Sequence, residues 1–250
     1  MSVRTLDRPN TSEANAAPFF FCRGLDAYYG DSYIVQNVSF SLEKGQILAL
    51  LGRNGAGKTS TLRAIARATN PELRSGEICL DGLRLDGKPN YIAAQAGIQL
   101  VQEDRRIIPG LTVEQNLQLA IISGEVGWPF ERIYALFPRL AERRKQEGTT
   151  MSGGEQQMLA IARALARDVK LLLLDEPYEG LAPVVRHDIA KALLEVRAAG
   201  ITSIIVEQNA VAALHLSDRA VILDSGEVVY DGAAKDVLDD EELRLRYLAI

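Results

Sequence analysis

Hydrophobic positions along the chain fall into short runs of strand length separated by segments of helical period, and the two kinds alternate through most of the 250 residues. Residues 19–26 and 33–42 carry aromatic and β-branched side chains with polar breaks, which predicts a strand-rich opening, and Glu43-Lys44-Gly45 marks the turn that follows. The run 46–51 is apolar after Gln46, as in a strand buried on both faces, and it stops at Gly52, where a glycine-rich loop begins. From Thr59 the apolar positions Leu62, Ile65 and Ala66 recur at helical spacing until Asn70-Pro71 breaks the pattern. A strand over 76–80 ends in Asp81-Gly82, a buried strand over 98–101 precedes the charged stretch 103–106, and the segment from Thr112 to about Gly148 reads as helical and charged.

The second half is more regular. Met158, Leu159, Ile161, Ala162, Leu165 and Ala166 form a broad stripe on a helix over 155–167, and 171–174 follows as a buried strand. A helix over 184–199, a strand over 201–206, a helix over 210–216 and a hairpin of 220–223 with 227–230 around Ser225-Gly226 complete the pattern. No internal repeat stands out. Residues 1–18 mix Asp7 and Glu13 with Pro, Asn and Ser and have no apolar stretch behind basic residues, so they read as a flexible tail rather than a secretory signal. The remainder, 19–250, reads as one α/β domain.

Composition narrows the function classes. Hydrophobic residues at 47% and charged residues at 24% exclude a disordered chain, and no apolar run approaches the ~18 residues of a membrane-spanning helix. With 28 Lys and Arg against 33 Asp and Glu, the net charge of −5 gives no global electrostatic grip on nucleic acid. Cys22 and Cys79 are too few and too far apart for a disulfide framework or a metal-ligand spacing, which fits a reducing cytosol. His187 and His215 have no cysteine nearby to build a zinc site with. Arg139, Arg143, Arg144 and Lys145, interleaved with Glu142 and Glu147, read as a solvated helix face, and the acids of 239–242 as solvated surface.

Three segments carry chemistry. Gly52-Arg53-Asn54-Gly55-Ala56-Gly57-Lys58-Thr59-Ser60 fits the phosphate-binding loop G-x-x-x-x-G-K-[ST] in its required place, after a buried strand and before a helix. Such glycines let backbone N–H groups turn inward onto phosphate oxygens, Lys58 can reach the β and γ phosphates, and the Thr59 hydroxyl can hold Mg²⁺. Downstream, Leu171-Leu172-Leu173-Leu174-Asp175-Glu176 sets two carboxylates at the C-terminal end of a buried strand, where doubly wound sheets gather ligands. Asp175 suits Mg²⁺, directly or through water, and Glu176 suits the attacking water. Between them lies Met151-Ser152-Gly153-Gly154-Glu155-Gln156-Gln157. It reads as a capping box of Ser152 with Glu155, and its bare glycine amides at a helix start also suit close approach by an anion.

Taken together, the phosphate loop, Ser-Gly-Gly-Glu-Gln-Gln and Leu-Leu-Leu-Leu-Asp-Glu-Pro resemble the ATP-binding subunit of ABC transporters over about residues 19–242. The resemblance implies a P-loop ATPase fold with a mixed core sheet, an antiparallel β subdomain and a helical subdomain over about 103–160. It implies ATP and Mg²⁺ as cofactors, and Ser152, Gly153, Gly154 and Glu155 acting in trans on the ATP of a second subunit. Tyr29 stands where the family stacks an aromatic ring on adenine, with Tyr28 as the rival. The glutamine that contacts Mg²⁺ and the permease falls by register on Glu103, with Gln102 one position earlier. Gln208 replaces the family's switch histidine and keeps hydrogen bonding to the γ-phosphate without an imidazolium, and Ala182 replaces an aspartate.

The stretches 103–113, 180–183 and 206–209 resemble the smaller ATPase of branched-chain amino acid importers, and urea and short-amide importers have a similar one. That subgroup implies transmembrane permease chains, a second, different ATPase (a homodimer being the other arrangement), an external binding protein and a place on the inner face of the cell membrane. A soluble ABC-type ATPase acting on ribosomes or DNA would carry two fused units or a coiled-coil insertion, and the sequence has one phosphate loop and no sustained heptads. Intact Glu176 argues against a regulator that binds ATP without hydrolysing it.

Overall fold

The computed structural model describes residues 17–122 and 125–250, so all but the last two residues of the expected 1–18 tail lie outside the described part. The strands are β1 (Phe20–Tyr29), β2 (Ser32–Leu42), β3 (Ile47–Leu51), β4 (Glu72–Leu80), β5 (Leu83–Arg84), β6 (Ile98–Val101), β7 (Leu171–Asp175), β8 (Thr202–Val206), β9 (Arg219–Asp224) and β10 (Glu227–Ala233). The helices are α1 (Lys58–Ile65), α2 (Asn90–Gln95), α3 (Val113–Ile121), α4 (Phe130–Leu136), α5 (Pro138–Glu142), α6 (Gly153–Leu165), α7 (Pro183–Ala198), α8 (Ala210–Leu216), α9 (Ala234–Asp239) and α10 (Glu241–Tyr247).

The strands form two sheets. One is antiparallel, in the order β2-β1-β4-β5; the other has the order β10-β9-β3-β8-β7-β6, parallel except for the antiparallel edge strand β10. Every residue of β3, β7 and β8 is buried, which is why 47–51 and 171–174 read as continuous apolar runs rather than alternating ones, while β8 buries Thr202 and Ser203 with Ile204, Ile205 and Val206. The period of two then divides each strand between two cores. Leu171 and Leu173 face Leu48, Leu50, Ile204 and the antiparallel sheet, whereas Leu172 and Leu174 face α6 and α7. Ala49 and Leu51 pack toward α8 and α9. Among the described residues no helix is long and apolar enough to cross a membrane.

Boundaries shift for identifiable reasons. The helix after the phosphate loop ends at Ile65 instead of running to Asn70, because Arg67 turns left-handed (φ 57°) and the Arg67 and Ala68 amides bond back to the Ala64 and Arg63 carbonyls, a Schellman closure. Strand β4 starts at Glu72, four residues before the expected start. Gly76 lies within it at a bulge (φ 109°), where a Cβ would stand 2.5 Å from the Gly24 carbonyl oxygen. The helical middle is divided, with α4 starting directly after Pro129 and α5 starting at Pro138. Cys22 and Cys79 are buried free thiols on adjacent strands, and burial pushes the Cys22 thiol up to about 12.

Leu173, fully buried mid-strand between β6 and β8, tests this architecture. Leu173→Ala is expected to lower unfolding free energy by about 2–5 kcal/mol, measured as a shift in urea midpoint at unchanged slope.

Candidate nucleotide site

The site grows from the C-terminal ends of the parallel strands. The chain leaves β3 through Gly52 at φ 142°, where a Cβ would stand 2.3 Å from the Leu223 carbonyl oxygen, so only glycine fits. It enters α1 through Gly57 at φ 98°, whose missing Cβ leaves room for the Ile34 carbonyl. The intervening loop puts Lys58 at the first turn of α1, and its Nζ donates to the Gly52 and Arg53 carbonyls at 2.9 and 3.1 Å. Burial lowers the Lys58 pKa, opposed by the carboxylates of Glu176 and Asp175.

The Thr59 hydroxyl donates to Asp175 Oδ1 at 2.8 Å, joining α1 to the end of β7. The other oxygen, Oδ2, is buried with no hydrogen-bond partner, and burial raises the Asp175 pKa. An unpartnered buried carboxylate oxygen beside a hydroxyl is a donor set that fits a hard divalent cation such as Mg²⁺. Among the described residues no cluster of three or more His, Cys, Asp or Glu side chains could hold a metal by itself, so such an ion would draw its remaining ligands from phosphate and water.

Glu176, the next residue, sits in the left-handed region at φ 50°, uncommon for a side chain of this size. Its N–H donates to the Val206 carbonyl at 2.9 Å, and its Oε2 accepts from Gln208 Nε2 at 2.7 Å. The loop after β8 thus holds Glu176 by backbone and side chain. Glu103 belongs to the same group: its charge helps to raise Asp175, and it lies with Glu176 against Glu179, whose carboxyl is raised first by its hydrogen bond with Glu176 and then by burial. Gln102 lines a different groove, of about 640 Å³, with Arg63, Tyr91 and Arg106.

Ser152 and Glu155 make the expected capping box: Glu155 Oε2 accepts the Ser152 N–H at 3.0 Å and its hydroxyl at 2.7 Å, and the Ser152 oxygen caps the Glu155 N–H at 3.4 Å. Arg143 closes on Glu155 Oε1 at 2.9 Å. Despite its burial, the Glu155 carboxyl stays below the usual range because of these Ser152 bonds and the Arg143 charge. The basic run is therefore not simply a solvated helix face. Helix α5 ends at Glu142, Arg143 leaves it to neutralise Glu155, and Arg144 lies 3.8 Å from Glu114. Gly154 is buried, and a Cβ there would stand 2.6 Å from Val185 Cγ1 on α7. Packing alone demands a glycine at this position. Asp240 is likewise more than solvated surface, since it caps α10 through the Leu243 N–H at 2.8 Å.

Of the two tyrosines, Tyr28 stacks on Tyr33 with ring centres 4.5 Å apart and lies under the Arg74 guanidinium at 4.2 Å. Tyr29 is more open, 37% exposed, with its hydroxyl 3.4 Å from Arg63 Nη1. Lys58, Thr59, Asp175, Glu176, Glu103 and Gln208 thus converge at one sheet edge, whereas among the described residues no hydrogen bond or ion pair ties 152–155 to the loop 52–60. Sequence reasoning gave Glu207 no role. It is 4% exposed, accepts the Tyr178 N–H at 2.7 Å, and is pushed up to about 7 by burial and by the nearby Glu176 charge. A charged residue directly after the apolar run Ile204-Ile205-Val206 was the available signal.

Comparison with known proteins agrees with this geometry. A family model described as ABC transporter matches residues 35–179. The chain is 40% identical over 227 residues to the high-affinity branched-chain amino acid transport ATP-binding protein BraG of Pseudomonas aeruginosa, covering 90% of this chain and 97% of BraG. It is 35% identical to the probable branched-chain amino acid transport ATP-binding protein LivF of Archaeoglobus fulgidus (87% and 93% covered), and 32% identical to the lipopolysaccharide export ATP-binding protein LptB of Haemophilus influenzae (88% and 92%). A solved ATP-binding subunit of an ABC transporter superposes with a TM-score of 0.77 at 28% identity, covering 92% of this chain and 96% of the other. The chain belongs to the ABC transporter ATP-binding family and is an ABC-type ATPase subunit, with the antiparallel β subdomain and parallel core sheet of that fold.

The packing demand at Gly154 is separable from any nucleotide contact. Gly154→Ala is expected to cost about 1–3 kcal/mol through overpacking, and Val185→Ala in the same chain to recover most of the deficit, measured as a double-mutant cycle by denaturant unfolding.

Proposed function

We propose that this chain hydrolyses ATP on the cytoplasmic face of a membrane to drive uptake of branched-chain amino acids. The observation that carries the hydrolytic reading is the joining of Thr59, Asp175, Glu176 and Gln208 around one phosphate loop by hydrogen bonds of 2.7 and 2.8 Å. The cargo rests on similarity to BraG and LivF. Urea or short amides are the alternative cargo, since importers of those compounds have a similar ATPase. Relatives such as LptB carry other cargo on this fold, so selectivity belongs to permease and binding protein.

Each residue then has a task. Gly52 to Ser60 wrap the phosphates with backbone N–H groups, and Lys58 exchanges two neutral carbonyl acceptors for charged phosphate oxygens, a stronger hydrogen bond. Tyr29 offers its open ring to adenine. Thr59 and Asp175 would hold Mg²⁺, and the loop residues Glu103 and Gln102 are the two candidates to meet the ion or its water shell. When bound, the ion supplies charge neutralisation of the phosphate oxygens. Glu176 orients the attacking water and takes up its proton, while Gln208 holds Glu176 and offers a hydrogen bond to the γ-phosphate. Ser152, Gly153, Gly154 and Glu155 serve the ATP of a second ATPase subunit, and Ala182 at the start of α7 lies on that same face. We assign 19–250 to one ATPase domain with its helical subdomain over about 103–160, docked on transmembrane permease chains served by an external binding protein and without a nucleic-acid partner.

Glu176→Gln is expected to cut the hydrolysis rate by about 10²–10⁴-fold, the contribution of a positioned base, while still binding ATP and shifting with it to a dimer by light scattering. Lys58→Ala is expected to lose ATP binding in a fluorescent-nucleotide titration. Affinity purification from gently solubilised native membranes with Mg-ATP should recover polytopic permease chains and a second ATPase; recovery with ribosomes or DNA in the soluble fraction would overturn the transport reading.

A further inference from the structure

Three successive residues, the last of β8 and the two that follow it, each grip the segment that follows β7. The Val206 carbonyl accepts the Glu176 N–H at 2.9 Å, the Glu207 carboxylate accepts the Tyr178 N–H at 2.7 Å, and the Gln208 amide donates to Glu176 Oε2 at 2.7 Å. The first and third of these are available to any strand pair with a polar side chain in the loop. The second gives a backbone donor a side-chain carboxylate as its acceptor. Pro177 has no N–H, so Tyr178 supplies the first backbone donor after Glu176, and with Tyr178 only 5% exposed that donor has to be satisfied from within the protein.

The acceptor provided is a carboxylate that is itself buried, 4% exposed, at the inner end of a cleft of about 540 Å³ between α7 and α8. Glu176, Glu179, Arg186, His187 and His215 are the other charged or titratable groups lining that cleft, apart from Tyr178. Among the described residues Glu207 makes no ion pair, so it does not serve as half of a salt bridge. Its distinguishing contact is the one to the Tyr178 amide, two residues from a glutamate held at φ 50°. A backbone held in a sparsely populated region persists only where its surroundings fix it on both sides. Val206 fixes the N-terminal side of Glu176, and Glu207 the C-terminal side.

We propose that Glu207 is a positioning residue for hydrolysis, its carboxylate clamping the Tyr178 amide so that the Glu176 side chain stays aimed at the reacting phosphate. The inference rests on the reading of Glu176 as the hydrolytic base. Glu207 acts through the backbone, by way of the Tyr178 amide.

The test compares Glu207→Met, similar in size without an oxygen acceptor, with Glu207→Gln, whose amide oxygen still accepts the Tyr178 N–H. Steady-state ATPase assays on the full chain are run beside Glu176→Gln. Glu207→Met is expected to lower kcat by about tenfold or more, as for a displaced catalytic group, with KM for ATP and fluorescent-nucleotide affinity essentially unchanged. Glu207→Gln is expected to keep kcat close to the parent value. Full kcat in Glu207→Met overturns the inference, and so does an equal loss in both variants or a loss that moves KM and nucleotide affinity together. Near-parental turnover by Glu176→Gln would instead remove the base assignment on which the inference stands, so the two failures are distinguishable.

Discussion

One hydrogen bond, from the Thr59 hydroxyl to Asp175 Oδ1, links parts of the chain 116 positions apart and fixes the geometry on which the rest of the site depends. It can form because β3 and β7 lie on either side of β8 in one parallel sheet, so the first turn of α1 and the end of β7 reach the same edge. The sheet holds that alignment through burial. With β3, β7 and β8 covered on both faces, a slip of one residue would exchange Leu172 and Leu174 with Leu171 and Leu173 between two differently shaped cores. The register that suits packing is therefore the register that brings the hydroxyl to the carboxylate.

From Asp175 onward the chain stops being governed by the sheet. Glu176 departs into a left-handed conformation, and what keeps it there comes from the neighbouring strand: the Val206 carbonyl, the buried Glu207 and the Gln208 amide. The same loop that would sense a γ-phosphate through Gln208 also fixes the carboxylate proposed to act on water. An amide serves this purpose without titrating, so the Gln208 to Glu176 contact does not depend on the protonation of an imidazole.

Much of this was legible in the sequence where a local rule sufficed. The runs 47–51 and 171–174 are continuously apolar because parallel strands are buried on both sides, and the phosphate loop and the Ser152 to Glu155 box are patterns of adjacent residues. What was not legible depends on contacts distant along the chain. Gly76 looked like a strand start because only the Gly24 backbone opposite it shows that a bulge lies there. Arg67 carries none of the usual signals of a helix stop. The pairing of Arg143 with Glu155, the packing of Gly154 on Val185 and the bond from Tyr178 to Glu207 each join elements whose approach no periodicity encodes. Gln102 and Glu103 differ by one residue, and no local pattern tells that Glu103 adds its charge to the surroundings of Asp175 while Gln102 lines a groove with Arg63 and Tyr91.

The two halves of the chemistry are held by different contacts, and that separation bears on how a second subunit would complete the site. Thr59, Asp175 and Glu176 are anchored to strand ends in the sheet core. Ser152 sits at the start of α6, whose first turn is secured by its own capping box, by Arg143 and by Val185 on α7. A helix start with its cap satisfied internally still directs the remaining amides of its first turn outward, and those are the groups that favour an anion. Among the described residues they have no bond to the loop that would hold the phosphates. An arrangement that keeps the anion-attracting helix end rigid but apart from its own phosphate loop makes chemical sense when the anion it meets is carried by another subunit.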